Sequence, residues 1–314
     1  MLTRSSVIDL GLLRGGPLRS GGVVTCCVLA MLLSLGYESL ASAADTEAIQ
    51  AERIVEGAGK VAIHYRVHSS LEGDRPPIVL IHGWSCDSSY WREQIAPLSA
   101  DHAVVTVDLA GHGSSGDERD DFSMRSFGED VQRVIESLPT HAPVILIGHS
   151  MGGPVAVEAA RLLGERVRAV IGVDTFASIG APIPAAAETE IRIAAFHKDF
   201  RAATRAFVDR SFFKPNTDPV LRRWIVEDMA NANSRVGIAA LRGLSAWDGV
   251  ASLSALQVPV IAINTDLARV DEKRVKALSP KFRLITIVGH GHFLMMENPE
   301  RFNVALRAEL VRFN

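Results

Sequence analysis

The chain has 314 residues, enough to bury a large core, and its 47% hydrophobic and 22% charged residues are ordinary for a soluble globular protein. A formal charge of −3, with no cluster of Lys and Arg, argues against nucleic-acid binding. We therefore expect one large domain of the α/β type with an elaboration, and no nucleic-acid partner.

The N-terminal segment has the pattern of a secretory signal peptide. Arg4, Arg14 and Arg19 precede an apolar stretch over residues 21–35, and the small residues Ala41-Ser42-Ala43 follow it. The apolar stretch is shorter than the ~20 residues that a helix needs to cross a bilayer. We expect cleavage after this tripeptide, export to the periplasm or the medium, and no integral membrane domain afterwards. The alternative is an uncleaved segment that anchors the protein in a membrane.

Cleavage at this site would also change the cysteine content. Cys26 and Cys27 would leave with the signal peptide, and Cys86 would remain alone, so no intramolecular disulfide is expected. We predict that Cys86 takes no part in the chemistry.

From Ile54 onward, strand-like apolar runs alternate with helical segments. Residues 61–67 alternate as an early antiparallel strand would. Continuous apolar runs, typical of strands buried on both faces, follow at 78–81, 103–107, 144–147, 169–173, 258–263 and 284–288. Helix-like stretches separate most of them, for example 127–138 and 154–163. This order predicts an α/β fold with a doubly wound, mostly parallel sheet.

One long interval, between Val173 and Val258, contains no convincing strand. It is rich in Ala, Arg and aromatic residues and is punctuated by prolines, which favours a set of amphipathic helices. We predict an inserted helical cap over the carboxyl ends of the strands. The predicted domains are a signal peptide over 1–43, a core over 44–175 and 256–314, and a cap over 176–255. Aromatic side chains of the cap either line the entrance to a ligand pocket or form the cap's own core, namely Trp224, Trp247, Phe212 and Phe213.

The stretch Gly148-His149-Ser150-Met151-Gly152 has the spacing G-x-S-x-G, with an apolar strand before it and a helix-like segment after it. In such a sharp turn the glycines leave room for close backbone approach, and the serine hydroxyl is exposed. Serine is a weak nucleophile at neutral pH unless a neighbouring base takes its proton. We predict Ser150 as a nucleophile, and the base must come from elsewhere in the chain.

Two further segments supply what such a nucleophile needs. His292 lies just after the last strand-like run, and we predict it as the base. The segment His82-Gly83-Trp84 follows the first long apolar run. We expect the backbone N–H groups of Trp84 and Met151 to form an oxyanion hole, and we interpret His82 as a residue that organises the loop.

These motifs resemble those of the α/β-hydrolase superfamily. Four of them stand in the order found there: His82-Gly83-Trp84, residues 108–115, the turn around Ser150, and Gly291-His292-Phe293. The resemblance spans residues 54–314, with the cap as the variable part. It implies an α/β-hydrolase fold and catalysis without a cofactor. Relatives that form an alkyl ester carry Asp at the turn, whereas the serine of this chain implies acyl transfer.

The carboxylate that should orient the histidine departs from the common pattern of the superfamily. Many members place it after the next-to-last strand in a stretch like N-G-D-x-D, and here Ala268 stands at the usual acid position. Some relatives, including certain haloalkane dehalogenases, use an acid after the preceding strand, where this chain has Asp174. Asp174 is the favoured acid, and Asp266 and Asp271 are the alternatives.

The sequence therefore predicts an exported serine hydrolase that cleaves a small carboxylic ester or a related acyl compound. Lactonase, carbon–carbon bond hydrolase and cofactor-free perhydrolase activities would use the same residues. A non-catalytic ligand-binding protein of the same fold is the alternative from another class, and the imperfect acid region favours it. The expected partner is a small acyl substrate. No metal site is expected, because the histidines are scattered along the sequence.

If residues 1–43 are a signal peptide, the exported protein should begin at Ala44 or close to it. N-terminal sequencing of the protein recovered from the periplasm or the medium measures this directly. Recovery of a chain that begins at Met1 from a membrane fraction would contradict the prediction and favour the anchor.

Overall fold

The computed structural model describes residues 51–267 and 269–314, so the predicted signal peptide and Ala268 lie outside the described residues. The strands of the described chain form one eight-stranded sheet. Their bounds are β1 Ala51–Glu56, β2 Ala62–Val67, β3 Ile78–Ile81, β4 Val104–Val107, β5 Val144–His149, β6 Val167–Val173, β7 Val260–Asn264 and β8 Arg283–Thr286.

The sheet has the strand order β1-β2-β4-β3-β5-β6-β7-β8. The pairs β1–β2 and β2–β4 are antiparallel, and every pair from β4 to β8 is parallel. All residues of β3, β4, β5 and β7 are buried, as expected of strands covered on both faces. The predicted doubly wound, mostly parallel sheet is confirmed, and its parallel strands direct their carboxyl ends to one edge.

Helices connect the strands and cover the sheet. Their bounds are α1 Arg92–Ser99, α2 Met124–Ser137, α3 Gly152–Leu163, α4 Ala186–Lys198, α5 Phe200–Ser211, α6 Pro219–Ala230, α7 Ser234–Ser245, α8 Gly249–Ser254, α9 Glu272–Leu278, α10 Leu294–Glu297 and α11 Pro299–Leu310. The α2 helix illustrates why they form: Ser123 caps its first turn, and Phe127, Val131 and Val134 share one buried face. None of these helices within the described part of the chain is long and apolar enough to cross a membrane.

The interval predicted to be helical holds α4 to α8 and, within the described residues, no strand. Four of these helices have an N-cap residue whose side chain accepts a hydrogen bond from the first turn, namely Asp199, Asp218, Asn233 and Asp248. Val208, Ile225 and Val236 are completely buried and belong to the same apolar cluster as the sheet. The helical insertion therefore packs onto the core through apolar contacts, where the cap was predicted.

Most strands differ from the predicted bounds by one or two residues, and the first and last strands depart in a way that has a physical reason. The edge strand β1 was not predicted, because four of its six residues are exposed and it carries no alternating apolar pattern. The last strand ends at Thr286, before the predicted residue Val288, which is 56% exposed in the loop that follows. Edge positions and strand ends lack the burial that makes central strands recognisable in a sequence.

Candidate active site

The turn at Ser150 is strained and tightly packed. Ser150 has φ 52°, a left-handed conformation that residues other than glycine rarely adopt. A Cβ atom at Gly148 would lie 2.1 Å from the carbonyl oxygen of Gly152, and one at Gly152 would lie 2.5 Å from the carbonyl oxygen of Ile81. Both glycines of the G-x-S-x-G motif are therefore required by close backbone contacts.

Hydrogen bonds fasten this turn to the end of the neighbouring strand. The Ser150 N–H donates to the carbonyl oxygen of Val173, the last residue of β6, at 2.9 Å. The Thr175 hydroxyl donates to the Ser150 carbonyl oxygen at 2.8 Å. Asp174 lies between Val173 and Thr175, so the predicted nucleophile and the favoured acid directly follow adjacent strands at the same edge of the sheet.

Asp174 is the carboxylate that contacts His292. His292 Nδ1 lies 2.6 Å from Asp174 Oδ2, and Asp174 Oδ1 accepts hydrogen bonds from Thr265 N at 2.8 Å and Thr265 Oγ1 at 2.9 Å. Burial opposes ionisation of Asp174, but the hydrogen bonds from His292 and Thr265 outweigh it and hold its pKa below the usual range. An ionised carboxylate only accepts hydrogen bonds, so His292 Nδ1 carries a proton and Nε2 is left to accept one.

His292 is held by contacts on both sides. Its ring stacks on Phe212, with centroids 4.3 Å apart, and lies 4.7 Å from the ring of His149, the residue before Ser150. His149 Nε2 donates to the His292 carbonyl oxygen at 3.0 Å. Burial lowers the pKa of His149 to about 3, so this imidazole is neutral. Within residues 51–267 and 269–314 the Ser150 hydroxyl is not hydrogen-bonded to His292, although the two residues share His149 as a neighbour.

The predicted oxyanion residues lie on either side of the turn. Met151 immediately precedes α3, where the helix dipole favours negative charge. The loop after β3 approaches the nucleophile closely, since a Cβ atom at Gly83 would lie 3.2 Å from Ser150 Cβ. The backbone N–H groups of Trp84 and Met151 donate to no residue in the described part of the chain. The oxyanion hole formed by these two groups stays a prediction.

His82 organises the loop, as the sequence predicts. Its Nδ1 donates to the Gly83 carbonyl oxygen at 2.8 Å, and its Nε2 accepts from Leu109 N at 3.0 Å. Burial lowers the pKa of His82, so both ring nitrogens are committed in a neutral ring. Among the described residues no three His, Cys, Asp or Glu side chains are grouped as metal ligands would be.

The two alternative acids contact other groups. Asp266 Oδ2 accepts from Lys214 Nζ at 2.8 Å, and this hydrogen bond is the main reason that the pKa of Asp266 falls to about 2. Asp271 caps α9 by accepting from Arg274 N at 3.0 Å, with 61% of its side chain exposed. Neither carboxylate is hydrogen-bonded to His292 in the described structure, whereas Asp174 is.

Of the aromatic residues considered for the entrance, Phe212 lies at the site. Phe213 packs instead on Phe293, with ring centroids 6.1 Å apart. Trp247 Nε1 donates to the buried Glu158 at 2.8 Å, and Trp224 lies 5.1 Å from Tyr90, centroid to centroid. Trp247 therefore joins the cap to the core, whereas Trp224 contacts a core tyrosine and stays 37% exposed.

Sequence reasoning missed three contacts of the site. Thr265 completes the hydrogen bonds of Asp174, Phe212 stacks on His292, and His149 holds the backbone of His292. Thr265 and Phe212 lie 91 and 80 residues from their partners, and no local pattern indicates these pairs. For the third contact the sequence did hold a signal, because His149 stands directly before Ser150.

We predict that Cys86 is chemically inert. Its thiol donates to the Trp84 carbonyl oxygen at 3.3 Å, and burial, with Asp228 and Asp87 nearby, raises its pKa well above the usual range. The thiol is therefore protonated at neutral pH, and a thiol is a poor nucleophile. Cys86→Ala should leave turnover within a few-fold of the unmodified protein. A loss as large as that of Ser150→Ala would contradict this.

The chain is similar to known proteins in sequence and in fold. The sequence model of the Alpha/beta hydrolase family matches residues 78–305. A pimeloyl-[acyl-carrier protein] methyl ester esterase of Edwardsiella ictaluri is 29% identical over 251 residues, which cover 76% of this chain and 94% of that protein. Esterase RhEst1 from Rhodococcus sp. ECU1013 is 26% identical, with a TM-score of 0.71 over 84% of this chain and 100% of that one. An N-acyl homoserine lactone degrading enzyme is 25% identical, with a TM-score of 0.69 over 82% of this chain and 99% of that one. The chain therefore belongs to the alpha/beta hydrolase family.

Proposed function

We propose that this protein is an exported serine hydrolase that cleaves a small carboxylic ester, or a related acyl compound, through an acyl-enzyme. The observation that supports this most is the 2.6 Å hydrogen bond between His292 Nδ1 and Asp174 Oδ2, at the edge of the sheet where Ser150 follows β5 in the turn to α3. Export rests on the predicted signal peptide over residues 1–43.

In the first half of the reaction, Ser150 Oγ attacks the carbonyl carbon of the ester while His292 Nε2 accepts its proton. The carbonyl oxygen becomes an oxyanion and accepts hydrogen bonds from the N–H groups of Trp84 and Met151. Removing one such donor typically costs about 3–4 kcal/mol of transition-state stabilisation. Asp174 stabilises the imidazolium that forms, and it is ionised for this role because its pKa is depressed.

Acylation is complete when the tetrahedral intermediate collapses and His292 gives its proton to the departing alcohol oxygen. The acyl group is then bonded to Ser150 Oγ. A water molecule attacks the acyl carbon, and His292 takes one of its protons. The second collapse releases the carboxylic acid and returns the proton to Ser150, so one water is consumed for each ester cleaved.

A lactone is a cyclic ester, and the same residues would open it by the same steps. The similarity to an N-acyl homoserine lactone degrading enzyme favours this as the second candidate. The non-catalytic alternative rested on the imperfect acid region. The hydrogen bond between His292 and Asp174 supports the catalytic alternative instead.

The nucleophile is tested with a chromogenic short-chain ester. The unmodified protein should release a burst of coloured alcohol followed by steady turnover, because an ester with a good leaving group acylates Ser150 faster than water removes the acyl group. Ser150→Ala should abolish both phases, since no hydroxyl remains at the turn.

Ser254→Ala is the matched control, because Ser254 is an exposed serine in α8, outside the site. It should match the unmodified protein. A burst that persists in Ser150→Ala would refute Ser150 as the nucleophile. No hydrolysis by the unmodified protein, across esters and lactones of several chain lengths, would favour the non-catalytic alternative.

The acid is tested by a pair of isosteric changes, Asp174→Asn and Asp266→Asn. An amide at position 174 can turn its N–H toward His292 and favour the wrong tautomer, a change that typically lowers kcat about 10⁴-fold. We expect Asp174→Asn to lower kcat by at least about 100-fold and Asp266→Asn by less than about tenfold, because Asp266 contacts Lys214 rather than His292. Steady-state rates on the same ester measure both. The opposite ranking would assign the acid to the strand after Asp174.

A further inference from the structure

A segment of the cap is joined to the loop that carries His292. We call residues 212–218, between α5 and α6, the cap linker, and residues 287–293, between β8 and α10, the histidine loop. The carbonyl oxygen of Phe212 accepts from His292 N at 2.6 Å. Asn216 Nδ2 donates to the Gly289 carbonyl oxygen at 3.2 Å. The cap linker thus contacts the histidine loop along its length.

Glu297 strengthens this connection by bridging the two segments. Its Oε2 accepts from Thr217 Oγ1 at 2.9 Å and from Gly291 N at 2.9 Å. The contact leaves no room for a side chain, since a Cβ atom at Gly291 would lie 2.4 Å from the Phe212 carbonyl oxygen. The residue before His292 is therefore fixed against the cap linker by a carboxylate bridge and by direct backbone packing.

The ring of Phe212 covers one face of the His292 imidazole. The centroids are 4.3 Å apart, and the planes are inclined by 29°. Two further contacts hold His292: His149 is hydrogen-bonded to its backbone carbonyl, and Asp174 to its Nδ1 atom. An aromatic face attracts a cation, and His292 becomes a cation whenever it accepts the proton of Ser150. Phe212 is thus suited to hold the plane of the imidazole while the ring carries the proton of Ser150.

We propose that Phe212 is a positioning residue for His292, through its ring and its backbone carbonyl. This inference rests on the proposed function, since it concerns how the general base is held. A misplacement of about 1 Å at a catalytic group can lower the rate about 100-fold, so the loss of the ring should act on kcat. Substrate binding should change little, because Phe212 acts through His292.

The experiment compares Phe212→Leu, Phe212→Tyr and Phe213→Leu. Phe212→Leu removes the aromatic face, Phe212→Tyr keeps it, and Phe213→Leu makes the same truncation at the next residue, whose ring packs on Phe293. Each variant is measured for kcat and KM on a chromogenic ester, for Tm, and for the proton NMR signal of His292 Nδ1–H. A proton in so short a hydrogen bond resonates far downfield of the amides.

We expect Phe212→Leu to lower kcat about tenfold or more, leave KM within about threefold, and shift or broaden the downfield signal. Phe212→Tyr, which keeps the aromatic face, should have the kcat and the downfield signal of the unmodified protein. Phe213→Leu should leave the signal in place, whatever its effect on Tm. Phe212→Met, which is closer to Phe in length, replaces Phe212→Leu if that variant does not fold.

Two results would overturn the inference. One is a kcat for Phe212→Leu within about twofold of the unmodified protein with an unchanged signal, because a positioning contact should act on the rate. The other is an equal effect of Phe213→Leu on kcat and signal, which would reveal general cap packing. Ser150→Ala and Asp174→Asn in the same assay separate the two hypotheses. If both remain active, the proposed function fails, and if both are inactive while Phe212→Leu is normal, only the positioning role fails.

Discussion

The buried hydrogen bond between Asp174 and His292 sets the strictest condition on the rest of the structure. A carboxylate that is 97% buried is tolerated only when donors replace the water it has lost. His292 supplies one donor and Thr265 supplies two, from positions 118 and 91 residues away in the sequence. The parallel pairing of β6 with β7, in which Val173 lies opposite Ile263, brings Asp174 and Thr265 to the same edge. The sheet register and the charge state of the acid therefore depend on one another.

This dependence explains which features the sequence reveals. The central strands and the turn at Ser150 are local patterns, in which continuous burial and close backbone approach dictate the residue types. They could be predicted from the residues alone. The acid is different, because three aspartates lie near the right strand ends. What separates them is their partners: Asp266 pairs with Lys214, 52 residues away, and Asp271 caps a helix. Asp174 could thus be favoured from the sequence but not distinguished by it.

The cap contributes to both sides of the site. On one side, Phe212 contacts His292. On the other, the Trp84 indole donates to the Gly237 carbonyl oxygen at 2.8 Å, and its ring meets Phe196 and Phe200 of the cap at 5.7 and 5.9 Å. Trp84, predicted to donate to the oxyanion, and His292, predicted to transfer the proton, therefore both contact the cap. A shift of the cap would move the groups that contact His292 and Trp84 together.

Backbone strain is concentrated at the same place. Of the five non-glycine residues with positive φ in the described chain, three are Ser85, Ser150 and Asp174, in the oxyanion loop, at the turn and after β6. Each such conformation costs about 1–3 kcal/mol and persists only where the surroundings enforce it. Here the enforcing contacts are the hydrogen bond from Ser85 N to His112 Nε2, the bonds that join Ser150 to Val173 and Thr175, and the bonds of Asp174 to Thr265. The folding energy of the buried sheet thus holds three side chains in unfavourable backbone positions. All three lie at or beside the residues that the proposed function assigns to the oxyanion loop, the nucleophile and the acid. Electrostatic stabilisation without reorganisation requires that such groups are in place before charge develops on a substrate.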